Sequence, residues 1–221
     1  MNTVQKNYDL IVFDWDGTLA NSTQLIVDAI CQASVDVGLP APTQQAASSI
    51  IGLGFREAVY ELFGKIPDTL LSQITARYTY YYGAGENDIP LFDGAQEIIE
   101  HLRQVDIQLG VATGKGRAGL NRALDRSGVK HHFMATRTVD ECFSKPHPQM
   151  LQEMMEEAMT VPERTLMVGD TSFDLQMAQN AGVARVGVTF GAHPKQRLLA
   201  HEPLACFDVF SDLALWLKQH A

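Results

Sequence analysis

The sequence predicts an α/β fold: a parallel sheet core packed between helices and carrying an inserted helical domain. Three observations predict it. Four short apolar runs, Leu10–Phe13, Gln108–Ala112, Thr165–Val168 and Val183–Val188, are continuous rather than alternating. Strands covered on both faces read that way. Helical periodicities separate most of them, the alternation that a parallel sheet requires. The third observation is a misfit of length. From Asp14, closing the first run, to Ala112, closing the second, is 98 residues, whereas one crossover needs only about a dozen residues and a helix. Something folded is inserted.

The 221 residues are 46% apolar and 19% charged, the composition of a globular chain with a real core. Ten Phe, six Tyr and two Trp exclude a disordered chain. Lys and Arg number 17 against 26 Asp and Glu, a net charge of −9. That balance argues against nucleic acid as a partner. Cys31, Cys142 and Cys206 lie far apart with no CxxC pair, as expected in a reducing compartment. Leu10–Phe13 is too short for a signal peptide or a membrane span. The expectation is a cytoplasmic protein with no membrane partner, a monomer or weak homodimer.

Taken in order, the first strand gives way to the insert, residues 19–89, and the core comprises 1–18 and 90–221. In the insert, Asn21–Gly38 sets Leu25, Ile26, Ala29, Ile30, Ala33 and Val37 on one stripe behind an Asn21/Ser22 cap. Gly54–Gly64 and Leu70–Tyr82 also read as helices, with Pro40, Pro42, Pro67 and the Gly83–Asp88 stretch as breakers. Back in the core, the helix from Ala95 buries Ile98, Ile99, Leu102 and Val105, with Asp93 as its N-cap. A weaker strand lies near Phe133, a helix covers Gln149–Met159, and the helix from Thr171 stops at Gly182.

Chemistry gathers where strands end. In Asp14-Trp15-Asp16-Gly17-Thr18 the two carboxylates project to one side while Trp15 packs away from them. Paired acids at the carboxyl end of a buried strand sit where open α/β sheets bind ligands; merely capping the next helix would not offset their cost without a cation. The second strand ends in Thr113-Gly114-Lys115-Gly116, where a hydroxyl and free helical N–H groups make an anion site. Gly110–Lys115 falls short of a P-loop by one residue and lacks the Ser or Thr after Lys115. Gly114–Gly119 spells GxGxxG, but the strand near Phe133 ends without the acid that a ribose needs. Arg117, Arg122, Arg126 and Lys130 read as a solvated helix face. His131, His132 and His147 have no metal-ligand spacing. Pro146 holds Lys145 extended in a stiff loop, although taken alone it reads more readily as a surface lysine. Asp170 closes the next strand in the crevice of Asp14, and Asp174 falls in the first turn of the following helix, where a contact with the helix dipole would suffice to explain it.

In this order, with the insert behind the first strand, these segments resemble the haloacid dehalogenase superfamily of phosphohydrolases over nearly the whole chain. The motifs are Asp14-Trp15-Asp16-Gly17-Thr18, Thr113, Lys145-Pro146 and Gly169-Asp170-Thr171-Ser172-Phe173-Asp174. Thr18–Ser22 and Leu91-Phe92-Asp93-Gly94 are similar to the branch with a helical cap, which includes phosphoglycolate phosphatases; Asn21 stands where that branch often has Asp. The resemblance implies a Rossmann-like core, strand order 5-4-1-2-3, and Mg²⁺-dependent hydrolysis of a small phosphorylated metabolite, 2-phosphoglycolate first among candidates, through an aspartyl-phosphate. It implies Asp14 as nucleophile and Asp16 as general acid and base. Thr113, the Gly114 N–H and Lys145 would hold the phosphate; Asp14, Asp170 and the Asp16 backbone carbonyl would hold the metal, with Asp174 behind them. A phosphomutase similar to β-phosphoglucomutase shares all four motifs, and a pyrophosphatase is a further reading. Dehalogenases lack the second acid of the first motif. Receiver domains, which also phosphorylate an Asp, lack the long insert. Arg56, behind Ile51-Gly52-Leu53-Gly54-Phe55, is a candidate for a substrate carboxylate, and equally one for a surface pair with Glu57 or Glu61.

Overall fold

The structure, a computed structural model, describes residues 7–221. Six strands form one sheet: β1 (Leu10–Phe13), β2 (Gln108–Thr113), β3 (Ala135–Thr138), β4 (Thr165–Gly169), β5 (Ala184–Val188) and β6 (Cys206–Phe207). Their order is β3-β2-β1-β4-β5-β6 and every neighbouring pair is parallel. This is the expected five-strand order read from the other edge, with β6 added beyond it. Phe13 registers with Val111 and Val168, so Asp14 leaves the sheet between two neighbours that end just beyond it.

The helices of the insert are α1 (Thr23–Asp36), α2 (Gln44–Ser48), α3 (Phe55–Phe63) and α4 (Asp68–Gly85); those of the core are α5 (Ala95–Gln104), α6 (Arg117–Ser127), α7 (Gln149–Glu157), α8 (Ser172–Asn180), α9 (Lys195–Leu199) and α10 (Phe210–His220). Alternate residues of each strand serve opposite faces. Ile11, Phe13, Leu109 and Val111 pack with Ile98, Ile99 and Leu102 of α5 and with Leu213 and Leu217 of α10. Leu10, Val12 and Met167 pack with Met150, Leu151 and Met154 of α7 and with Met177 of α8. Both faces are buried, which is why the runs are continuous rather than alternating. Helices α1 to α4 gather a third apolar cluster around Ile30, Ala33, Val59 and Ile74. The two connections to this unit run side by side: Phe92 N donates to Leu19 O at 2.9 Å and Asn21 N to Pro90 O at 3.0 Å.

Several local expectations are corrected. Ser22 stands at the N-cap of α1, but its hydroxyl does not cap the helix. It donates instead to Asp16. Asp93 is not the N-cap of α5; Gly94 is, at φ 87°, a conformation that favours glycine. Gly83–Asp88 does not break α4, which runs to Gly85 and closes in a 3₁₀ turn at Glu86–Asp88. An acid does follow β3: Asp140, which accepts the Arg117 N–H at the start of α6 and so is occupied with that helix end. Nor are Arg117 and Arg122 simply solvated. Arg117 pairs with Glu141 and reaches Thr136, and Arg122 pairs with Glu86 at 2.7 Å. Among the described residues, no helix is long and apolar enough to cross a membrane.

Candidate active site

At the carboxyl ends of β1 and β4, Asp14, Asp170 and Asp174 are all buried, and each offers an oxygen within 4.8 Å of the others'. Strand β1 delivers Asp14, β4 delivers Asp170, and the first turn of α8 delivers Asp174. Lys145, 1% exposed, reaches in from the loop before α7 and donates to Asp14 Oδ1 at 2.7 Å and Asp174 Oδ1 at 2.6 Å. The Thr171 N–H and hydroxyl hold the other oxygen of Asp174 at 3.0 and 2.7 Å, within the capping box of α8. Asp170 accepts from the Thr18 hydroxyl at 2.8 Å and the Ala192 N–H at 2.7 Å. Gly17, at φ +84°, lies so close to Asp170 that a Cβ would collide with its carboxylate.

Burial raises Asp14 to about 7, with Asp174 and Asp16 adding to the rise and Lys145 only partly opposing it. Burial, then Asp14 and Asp174, likewise push Asp170 well above the ordinary carboxylate range. Burial alone would lower Lys145; Asp14 and Asp174 outweigh it and hold the ammonium above its usual range. Three carboxylates are thus buried around one ammonium, which bonds only Asp14 and Asp174. Asp14 Oδ2 is the sole fully buried side-chain polar atom among the described residues that lacks a hydrogen-bond partner. An unpartnered carboxylate oxygen facing uncompensated negative charge suits an oxygen-preferring divalent cation, so the donor set fits a hard metal ion.

Asp16 points to a different neighbourhood. Its carboxylate accepts from Ser22 Oγ at 2.7 Å and from Lys115 Nζ at 2.9 and 3.0 Å. Lys115 also donates to Tyr82 Oη, on α4, at 2.8 Å. From the sequence alone, Lys115 reads only as part of a misspaced P-loop. Its position two residues after Thr113, at a strand end in the crevice, was the available signal. His193 was missed outright: buried, and lowered to about 4 by that burial and then by Arg197. Its Nδ1 accepts the Ser172 N–H at 2.9 Å, which leaves Nε2 to donate to Ser49 O of the insert at 3.0 Å.

Asp14, Asp16, Thr113, Gly114 and Lys115 form the floor of a chamber of about 320 Å³. Ile26, Ile30, Ile51, Leu53, Phe55 and Tyr78 of the insert line it from the other side. The backbone at Gly52 and Leu53 comes so near Gly114 that any Cβ there would strike their carbonyls. The structure does not bring Arg56 into this chamber. It stands exposed, hydrogen-bonded to Tyr60 at 3.2 Å and paired with Asp68 at 3.4 Å.

Residues 11–188 match the model of the haloacid dehalogenase-like hydrolase family. The chain belongs to this family. Similar proteins include the "Probable phosphatase IndB" of Dickeya dadantii, 32% identical over 92% of this chain and 91% of that protein. The pyrophosphatase PpaX of Bacillus mycoides is 27% identical over 92% of this chain and 94% of its own. Among solved structures, that of a predicted phosphoglycolate phosphatase from Haemophilus somnus superposes with a TM-score of 0.84 at 28% identity, covering 97% of this chain and all of that one.

Proposed function

We propose that this phosphatase hydrolyses a small phosphate monoester through a phosphorylated Asp14, with Mg²⁺ as cofactor. The observation that carries the reading is Asp14 Oδ2, a buried and unpartnered oxygen of a residue that lines the chamber and whose other oxygen Lys145 holds. In this scheme Asp14 attacks phosphorus in line and the bond to the leaving oxygen breaks, while Asp16 hands that oxygen a proton. Asp16 then takes a proton from the water that attacks the aspartyl-phosphate, releasing phosphate and restoring Asp14. Thr113, the Gly114 N–H and Lys145 hold the transferring oxygens as their charge redistributes. Asp14, Asp170 and the Asp16 backbone carbonyl would hold the Mg²⁺, with Asp174 fixing Lys145 behind them. When bound, the ion supplies charge neutralisation at the phosphoryl oxygens. Residues 19–89 act as a cap over the core, 1–18 and 90–221, closing on Gly114 to exclude water.

For 2-phosphoglycolate the support is narrower. It rests on resemblance, since Arg56, the side chain suited to its carboxylate, is paired with Asp68 outside the chamber. A pyrophosphatase reading rests on the Bacillus relatives. The test is phosphate release from a panel of monoesters and pyrophosphate, with and without Mg²⁺, in the wild type and in Asp14→Asn. The expected result is Mg²⁺-dependent release that Asp14→Asn lowers by at least about a thousandfold, as loss of a nucleophile does. A variant retaining a tenth of the rate removes the covalent mechanism.

A further inference from the structure

The chamber that meets Asp14 has all its charged lining groups on the core side; the insert adds only uncharged polar groups, the hydroxyls of Tyr78, Thr79 and Tyr82. Its insert side is a wall of Ile26, Ile30, Ile51, Leu53, Phe55 and Tyr78. Phe55, Tyr78 and Tyr82 continue as a row of rings, the first pair tilted and the second stacked, with centroids 4.6 and 5.7 Å apart. Two cations line the chamber, Lys115 and Arg122, and both are engaged: Lys115 with Asp16 and Tyr82, Arg122 with both carboxylate oxygens of Glu86. The insert's Arg56 and Arg77 are paired with Asp68 and Asp36, and Lys65 is not among the lining residues. A second anionic group on the substrate would therefore lose its hydration against hydrocarbon with no free ammonium or guanidinium to receive it. At about 320 Å³ the space is at the small end of ordinary ligand cavities, yet it holds more than a phosphate alone.

Resting on the phosphatase reading above, we infer that the substrate is the phosphate monoester of a neutral alcohol with an apolar carbon body, aliphatic or aromatic, and not a phosphorylated acid or pyrophosphate. The phosphoryl group sits on the Asp14 floor. The body lies against the isoleucines and the Phe55–Tyr78 wall, where burying each methylene favours the complex by about fourfold.

The experiment compares kcat/KM for ethyl, butyl and hexyl phosphate, whose leaving alcohols share one intrinsic reactivity, with 2-phosphoglycolate and pyrophosphate. At least a tenfold rise from ethyl to hexyl is expected, with 2-phosphoglycolate and pyrophosphate at or below ethyl phosphate. In Phe55→Ser, a substitution at a half-buried position, the hexyl-to-ethyl ratio should fall at least threefold. Binding of methyl- and hexylphosphonate to the wild type in the presence of Mg²⁺ reads the chamber without any cleavable ester bond. Tighter hexylphosphonate binding with no release from any ester overturns the hydrolytic reading and leaves the apolar chamber standing. A flat series in turnover or in binding, or preference for 2-phosphoglycolate or pyrophosphate, overturns the inference.

Discussion

Lys145 is a charged side chain withdrawn from solvent and clasped by Asp14 and Asp174 at 2.7 and 2.6 Å. Removing one partner of such a cluster costs more than never having built it, because the remaining charges stay buried without compensation. Lys145→Met should therefore lower stability by about 3–5 kcal/mol in chemical denaturation, and turnover should fall with it. Lys145→Arg preserves charge but not the point geometry that two carboxylates share, so it should restore stability more than rate. Equal recovery of both would show that only the charge matters. Asp16 calls for a different probe. Asp16→Asn should slow alkyl monoesters far more than p-nitrophenyl phosphate, whose leaving group needs little protonation; equal losses would mark Asp16 as structural. Asp14 and Asp170 could be picked out from the sequence because each closes an apolar strand run, and Asp16 because it projects to the same side as Asp14 two residues on. Lys115 offered only its place at a strand end, and His193 nothing, since their partners Asp16, Ser172 and Ser49 lie far away in the chain and such contacts leave no periodic trace.

Strands β1, β2, β4 and β5 announce themselves by uninterrupted apolar runs because helices cover both of their faces. Strand β6 is only two residues, Cys206–Phe207, and α2 and α9 are five residues each, too short for any period to emerge. Helix α4 outruns its predicted end because Gly83 and Gly85 are tolerated inside a helix held by neighbouring packing. Its extension matters: it carries Glu86 to Arg122 on α6, at 2.7 and 3.1 Å, joining insert to core. The Arg122 hydrogen bond, ahead of the opposing effect of burial, holds Glu86 below its ordinary range. A carboxylate depressed in the folded state contributes stability above its unfolded value, near 4.3 for Glu, and loses it as pH falls below that. Because half of Arg122 is exposed, the pair should contribute only about 0.5–1 kcal/mol. A double-mutant cycle with Glu86→Gln and Arg122→Met should give that coupling at pH 7 and a progressively smaller one as pH falls from the unfolded value, near 4.3, through the depressed folded value. Coupling that persists in acid would assign it to packing of the arginine stem.

Across the molecule, a net charge of −9 is compatible with an anionic substrate because the relevant field is local: Lys145, Lys115, the N-terminus of α8 and the cation that the acidic cluster suits. The insert keeps its own apolar cluster, which Ala192 of the core touches, and most of its named links to the core are polar. Tyr82 accepts from Lys115, Glu86 pairs with Arg122, the Gly54 N–H donates to Ser144 Oγ, the Ser48 hydroxyl donates to Ala192 O, and His193 donates to Ser49 O. Water can replace such bonds at a net cost of about 1 kcal/mol each, whereas parting an apolar interface has no such substitute. The insert should therefore lift as a unit while both apolar cores stay closed, and a ligand that touches both sides should oppose the lifting. Hydrogen exchange at the Gly54 amide, bonded to Ser144 across the boundary at 2.9 Å, reports that motion. Hexylphosphonate with Mg²⁺ should slow exchange at Gly54 by at least tenfold while leaving Ile11, deep in the sheet, unchanged. Ser144→Ala should speed Gly54 in the free protein. Slowing of Gly54 and Ile11 by the same factor would mean that the ligand stabilises the whole fold, and that the insert does not move independently of the sheet.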